Sequence, residues 1–187
     1  QISQKLELNG VYNMLNAAAA LCLVKKILSD NKVNHDNTQL VDWLSIIRPA
    51  FGRGETIELD GVPIELILVK NPSGFRLALM SFTEQKPTMI AINDNYADGR
   101  DMSWLWDVDF DLFGGDNINS ITVSGIRCQD MRLRLKYVDI PSMLENDVET
   151  AIRKRIGDGC GNLYVLVNYT ALFGTRNILK KLEGEKA

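Results

Sequence analysis

Four short runs rich in apolar and β-branched residues, separated by helix-compatible segments, constrain the fold of this chain more than any other feature of its sequence. They occupy residues 64–69, 88–92, 120–124 and 163–167. A mainly apolar run of this length is typical of a strand that is covered on both faces of a sheet. Because such strands alternate with helices, the sequence predicts a Rossmann-like, three-layer α/β domain with a mostly parallel sheet and right-handed crossovers.

A β-hairpin is predicted at the beginning of this domain. Its two β-branched runs, residues 55–59 and 62–69, are joined by Asp60-Gly61, which has the composition of a tight turn. Helices are predicted at 11–28, 37–47, 72–82, 126–137, 145–156 and 170–182. Asn37 or Thr38 would cap the second of them. The fourth is expected to present its basic residues on a solvated face: Arg127, Arg132, Arg134 and Lys136.

The composition is that of an ordinary globular protein. With 187 residues, of which 45% are hydrophobic and 24% charged, the chain can form one sizeable domain. The net charge of -3 gives no reason to expect nucleic acid or an anionic membrane surface as a partner. The polar segment 29–37 is the best candidate boundary, and no apolar run approaches the roughly 20 residues needed to span a bilayer.

Cysteine and histidine usage limits the chemistry that the chain can perform alone. Cys22, Cys128 and Cys160 are odd in number and far apart, which argues against a disulfide framework or a zinc site and suits a reducing cytosol. The only histidine, His35, lies in a polar connection without a nearby serine or cysteine. We therefore expect any hydrolytic chemistry here to use groups from another chain.

The connection after the apolar run at 88–92 contains an excess of residue types that carry chemistry. Residues 93–110 include five aspartates and two tryptophans, and they begin at the carboxyl end of a predicted strand. Ligands and catalytic groups gather at that end in open α/β sheets, and a turn requires fewer carboxylates than this. Structural roles are the alternative: Asp98-Gly99 has the composition of a tight turn, Asp101 could be an N-cap, and both tryptophans could pack in the core.

Four motifs, in order along the chain, carry a resemblance to a known family. They are GVYNMLNAAA at 10–19, FGRGE at 51–55, VKNPSGF at 69–75 and DGRDMSWLWD at 98–107. Together they resemble the MurT subunit of lipid II isoglutaminyl synthase, which belongs to the Mur ligase superfamily. The resemblance implies a Mur ligase C-terminal fold. Residues 1–30 would then be the terminal segment of the central ATPase domain, and residues 37–187 the MurT-type C-terminal domain.

The resemblance also implies an activity for the complete complex, in a cytoplasmic heterodimer. ATP would convert the D-glutamate α-carboxyl of the lipid II stem peptide to an acyl phosphate, and ammonia from a class I glutaminase subunit (GatD-type) would displace the phosphate. ATP and Mg²⁺ are expected in the full-length protein, and a zinc ribbon outside this fragment. No Gly-x-x-x-x-Gly-Lys-Ser/Thr phosphate-binding loop occurs in the chain, so the fragment alone is expected to be inactive and to bind none of these cofactors.

The same resemblance assigns roles to the aspartate-rich connection. The glutaminase would bring a Cys nucleophile and a His base, and Asp101 would supply the acid that orients the His across the subunit interface. Asp98 is the alternate, because the two aspartates are expected on the same turn. Trp104 and Trp106 would dock the partner, since aromatic residues anchor interfaces. Simple core packing is the equally weighted alternative for both tryptophans.

Five further residues receive roles only from the resemblance. Asn13, Asn16 and Arg53 would contact nucleotide. The alternatives are a capping or interhelical hydrogen bond for the two asparagines and a surface loop position for the arginine. Lys70 and Asn71 would meet phosphate or carboxylate, although a solvated lysine is the ordinary case. They stand where amino-acid-adding Mur enzymes carry an acidic, histidine-bearing sequence. Two other functions stay open: an amino-acid-adding Mur or folylpolyglutamate-type ligase, and a non-catalytic partner-binding domain.

Overall fold

The computed structural model describes residues 11–47, 52–80, 87–113 and 121–184. Within these ranges six strands form one sheet: β1 Arg53–Leu59, β2 Val62–Leu68, β3 Thr88–Ala91, β4 Ile121–Ser124, β5 Ser142–Leu144 and β6 Leu163–Val167. The α-helices are α1 Val11–Asp30, α2 Asn37–Ser45, α3 Pro72–Met80, α4 Cys128–Lys136, α5 Val148–Gly157 and α6 Tyr169–Gly184. Three short 3₁₀ turns follow β3: Tyr96–Asp98, Ser103–Asp107 and Phe110–Phe113.

The sheet has the strand order β1-β2-β6-β3-β4-β5. β1 and β2 form the predicted antiparallel hairpin around Asp60-Gly61, and every other neighbouring pair is parallel. The predicted Rossmann-like fold with a mostly parallel sheet is therefore confirmed. Because β2 to β6 all run in the same direction, the connections that leave their carboxyl ends meet at one edge of the sheet.

Two hydrophobic clusters, one on each face of the sheet, explain why apolar residues in the strands do not simply alternate with polar ones. Neighbouring strand residues point to opposite faces. Leu66 and Met89 belong to the cluster that includes α5 and α6. Ile67 and Ile90 belong to the cluster that includes α3, α4 and the connection after β3. The sheet is thus the middle layer of three, as the sequence predicts.

Three details of the predicted elements are wrong. β5 was not predicted, because it is a short edge strand without a continuous apolar run. α5 begins at Val148 rather than 145, because the Asp147 side chain accepts from the N–H of Thr150 at 2.8 Å and fixes its first turn. α2 is capped by Asp36, whose Oδ1 accepts from the N–H of Thr38 at 2.9 Å, and not by Asn37 or Thr38.

α1 precedes the sheet and contacts α2 and α3. It exposes several large apolar side chains, including Met14, Leu15 and Leu23. The assignment of residues 1–30 to a separate central domain stays a prediction, and residues 1–10 lie outside the described part of the chain. None of the helices described here combines the length and apolar character that a membrane span requires.

Candidate functional site

The aspartate-rich connection is attached to the carboxyl edge of the sheet by a pair of asparagines. Asn168, which follows β6, accepts from the N–H of Asn93 at 3.0 Å and donates through Nδ2 to the Asn93 carbonyl at 2.6 Å. Asn93 in turn accepts from the N–H of Ile126 at 3.0 Å. Sequence reasoning missed Asn168, although its position directly after a predicted strand matches that of Asn93 and could have indicated it.

Asp98 is used inside the chain. Its carboxylate accepts from the N–H of Thr170 at 2.9 Å, from the Thr170 hydroxyl, and from the N–H of Asn95 at 3.1 Å. The Thr170 N–H belongs to the first turn of α6, where helical N–H groups have no intrahelical acceptor. Asp98 therefore caps α6 from a different element and also closes its own 3₁₀ turn.

Asp101 has different surroundings. It is exposed, and its Oδ1 accepts from the N–H of Ser103 at 2.9 Å, two residues further along the chain. The backbone N–H of Ser103, and then its side chain, lower the pKa of Asp101 below its ordinary value. The Asp101 carboxylate is consequently ionised at neutral pH and open to solvent, as a partner-facing acceptor would have to be.

Two left-handed residues separate these aspartates. Gly99 has φ 90° and Arg100 has φ 57°, a conformation that costs a non-glycine residue and concentrates at functional sites. Asp98 ends one 3₁₀ turn and Asp101 precedes the next. The expectation that the two aspartates lie on the same turn is therefore wrong, because the left-handed residues Gly99 and Arg100 end the first 3₁₀ turn before Asp101.

The two tryptophans also separate into different roles. Trp104 is half-buried and packs against Phe75 of α3, with ring centroids 6.4 Å apart. Trp106 is 48% exposed and makes an edge-to-face contact with Tyr137 at 5.1 Å. Tyr137 is itself exposed. Trp104 thus packs against the core, while partner docking stays a prediction that suits the exposed ring of Trp106.

Arg134 contradicts the prediction that all basic residues of α4 lie on a solvated face. It is 8% exposed, and it donates through Nε to the Leu105 carbonyl at 3.2 Å and through a terminal nitrogen to the Val108 carbonyl at 2.7 Å. The reason is its place on the helix, three residues after Met131 and directly before Leu135, both of which are fully buried. This spacing is visible in the sequence and could have predicted that Arg134 is buried. Arg132 and Lys136 are exposed, as predicted.

The predicted nucleotide contacts remain untested, but their surroundings are defined. On α1, Asn13 is buried and Asn16 is exposed. Arg53 begins β1, after Gly52 with φ 71°. A Cβ on Gly52 would lie 2.3 Å from Cδ1 of Leu172. The close approach that this glycine permits is therefore to Leu172 of α6.

A second contact with α6 lies three residues after Gly52. Glu55 of β1 receives two hydrogen bonds from Nε of Arg176, at 3.0 and 2.9 Å. This pairing raises the pKa of Arg176. The backbone around Arg53 is thereby attached to the same helix that Asp98 caps.

Lys70 and Asn71 follow β2 at the same edge of the sheet, and both are exposed. The Asn71 side chain accepts from the N–H of Gly74 at 2.8 Å and so caps α3. Asn71 therefore has a structural role. A contact of either residue with phosphate or carboxylate stays a prediction.

The side chains needed to hold a metal ion do not cluster within the described ranges: no three His, Cys, Asp or Glu residues there are close enough to bind one. These residues also include no phosphate-binding loop. Whether ATP or Mg²⁺ binds the full-length protein therefore stays a prediction that rests on the family resemblance.

Replacing Asp98 by Ala is expected to lower the free energy of unfolding by about 0.5–2 kcal/mol, the usual range for losing a helix cap. Urea unfolding of the chain measures this loss. Asp107→Ala is the matched control, because Asp107 is exposed in the same connection. Equal stability of the two variants would contradict the capping role of Asp98.

Solved structures identify the class of protein to which this fold belongs. The chain is similar to the UDP-N-acetylmuramate-alanine ligase MurC of Thermotoga maritima, with a TM-score of 0.65 and 13% identity over 99% of this chain and 41% of that one. It is also similar to MurF of Acinetobacter baumannii, with a TM-score of 0.63 and 14% identity over 92% of this chain and 37% of that one. These likenesses define a Mur ligase C-terminal-like α/β fold.

The family within that class follows from the sequence match. The family model for the MurT ligase C-terminal domain matches residues 68–172, and the chain belongs to this family. Lipid II isoglutaminyl synthase (glutamine-hydrolyzing) subunit MurT of Streptococcus pneumoniae is 29% identical over 93% of this chain and 39% of its own length. The subunit of the same name from Staphylococcus aureus strain COL is 33% identical over 89% of this chain and 38% of its own length. The chain thus spans about two fifths of these relatives.

Proposed function

We propose that this chain is the C-terminal part of a MurT-type subunit that, with a class I glutaminase subunit (GatD-type), amidates the D-glutamate α-carboxyl of lipid II. The name of the Streptococcus pneumoniae and Staphylococcus aureus relatives supports a multi-subunit ligase that acts on lipid II and hydrolyses glutamine. Within this assembly, the C-terminal domain would dock the glutaminase and complete its catalytic triad.

The observation that carries the proposal is the exposed, ionised carboxylate of Asp101 at the carboxyl edge of the sheet. His35, the chain's only histidine, lies between α1 and α2, where its Nδ1 is 3.2 Å from the Val33 carbonyl. Asp101 is therefore available to a histidine of another chain. Asp98 is the weaker candidate, because its oxygens already accept three hydrogen bonds from Thr170 and Asn95.

The chemistry of a triad defines what Asp101 would do. A carboxylate that accepts from Nδ1–H of the partner's histidine fixes the imidazole tautomer and stabilises the imidazolium that forms after proton transfer. The partner's Cys would attack glutamine, with that His as its base. Trp106, five residues along and half-exposed, would lie at the contact, where aromatic side chains anchor interfaces.

The ligase half of the reaction would use the rest of the full-length protein. ATP would supply the phosphoryl group that activates the D-glutamate carboxylate, and the ammonia released by the glutaminase would displace it. Residues 1–30 would complete the central domain, with Asn13 and Asn16 at the nucleotide. Arg53 would approach the same nucleotide from the C-terminal domain, on a segment attached to α6 through Glu55.

The test is transfer of isotope by the complete protein and its glutaminase partner. With lipid II, ATP and glutamine labelled with ¹⁵N at the side-chain amide, we expect the label to appear in lipid II as a new carboxamide. Replacing glutamine by free amino acids should give no product. Ligation of a free amino acid would instead favour the amino-acid-adding Mur alternative, and partner binding without any product would favour a non-catalytic docking domain.

A further inference from the structure

We infer that Arg134 is a positioning residue for the Asp101 carboxylate. The inference rests on the proposed function, because it assigns to Arg134 the placement of the acid that would complete the glutaminase triad. Arg134 lies on α4, outside the connection that carries Asp101. It would act on the reaction only through the backbone that it holds.

The guanidinium of Arg134 fixes the carboxyl-terminal end of the 3₁₀ turn Ser103–Asp107. Its two hydrogen bonds go to the carbonyls of Leu105, within that turn, and Val108, directly after it. Its central carbon also lies 5.6 Å from the ring centroid of Trp106 and 5.1 Å from that of Phe110. Four contacts thus join one side chain to this turn and the residues that follow it.

The physical reason for this arrangement is the chemistry of helical ends. The last carbonyls of a helical turn have no acceptor role within the turn and carry partial negative charge. A buried cation must be compensated, and within the described part of the chain the partners of Arg134 are these carbonyls and the aromatic rings. Arginine suits the site because its planar guanidinium can donate in two directions while it stacks.

Asp101 is bonded to the opposite end of the same turn. Its Oδ1 accepts from the N–H of Ser103, the first residue of the turn, at 2.9 Å. Between these two ends, the N–H of Leu105 donates to the Met102 carbonyl at 3.1 Å, and both of these residues are buried. A continuous series of contacts therefore runs from Arg134 through the turn to the Asp101 carboxylate.

The experiment combines Arg134→Met with Asp101→Asn in the complete protein bound to its glutaminase partner. Methionine keeps an unbranched apolar side chain between the rings but removes the donors. We expect Arg134→Met to lower kcat for glutamine hydrolysis by about 10- to 100-fold, because displacing a catalytic group by about 1 Å can cost about 10²-fold. KM for glutamine should not change, since the glutamine site belongs to the partner.

Two comparisons separate positioning from a general structural role. Added to Asp101→Asn, Arg134→Met should cause no further loss, because the carboxylate that Arg134 is proposed to position is already absent. Arg132→Met is the matched control on the exposed side of α4, and it should hydrolyse glutamine normally. Should Arg134→Met fail to fold, the same comparison is made with Arg134→Gln, which retains one N–H donor group.

The outcomes distinguish failure of this inference from failure of the proposed function. Normal hydrolysis by Asp101→Asn removes the proposed triad aspartate, and the inference with it. Loss of hydrolysis in Asp101→Asn but normal hydrolysis in the Arg134 variants overturns the inference alone. It is also overturned if the Arg134 and Asp101 losses multiply in the double variant, because Arg134 would then act independently of Asp101.

Discussion

Asp101→Asn is expected to lower glutamine hydrolysis by the complete complex by about 10⁴-fold, the loss seen when the aspartate of a Ser-His-Asp triad is replaced by asparagine. Asparagine has nearly the shape of aspartate, but its neutral amide cannot stabilise an imidazolium and favours the wrong histidine tautomer. The pKa of Asp101 is lowered by Ser103, so the wild-type carboxylate is already ionised at the pH of the assay. The measurement is kcat for glutamate release from glutamine, with subunit association verified by size-exclusion chromatography.

Asp109→Asn is the matched control for that variant. Asp109 is exposed in the same connection, and its Oδ1 accepts from the N–H of Asp111 at 3.2 Å, two residues further along, as Asp101 accepts from Ser103. It should leave hydrolysis unchanged. Near-normal hydrolysis by an associated Asp101→Asn complex would remove Asp101 from the triad, and the loss of association would show instead that Asp101 is needed for docking.

Phe75→Ala is expected to give the largest loss of stability, about 3–5 kcal/mol, the usual range for truncating a buried phenylalanine. Phe75 is completely buried in α3, and its ring contacts Phe110 edge-to-face with centroids 5.2 Å apart. It also supports Trp104 at 6.4 Å. Truncation would leave a cavity beneath the connection that carries Asp101. The lost free energy of unfolding therefore includes both the burial of the ring and the cost of the cavity. Equilibrium unfolding of the chain in urea measures it.

The neighbouring residue provides the control for this prediction. Arg76 is exposed on the same helix, and Arg76→Ala should change the free energy of unfolding by no more than about 0.5 kcal/mol. A loss below about 1 kcal/mol for Phe75→Ala would contradict the packing described here, since it would mean that the ring is not part of a close-packed core.

The fold was accessible from the sequence because its strong signals are local. Runs such as 163–167 are apolar on both faces, and only a covered strand requires that pattern. The Asp60-Gly61 turn likewise predicts its hairpin from adjacent residues. β5 was missed for the same reason: three residues at the edge of a sheet carry no periodicity that distinguishes them from a loop.

For the candidate site, the residue pattern alone predicted a segment of the chain and not individual side chains. An excess of carboxylates indicated the connection after β3, but it could not rank Asp98 above or below Asp101. The internal bonding of Asp98 depends on Thr170, which is 72 residues away in sequence and directly bonded to Asp98 in space. The burial of Arg134 depends in the same way on Leu105 and Val108, which belong to a different element.

Composition and periodicity were thus sufficient for the three-layer α/β architecture, and the ordered motifs were sufficient for the family. Folding decided which aspartate caps α6 and which one faces solvent, which tryptophan packs against Phe75, and which arginine holds the turn. The physical reason is that a strand or helix is encoded by its own neighbours in sequence. A hydrogen-bond partner or a packing surface is supplied by residues that only the folded chain brings together.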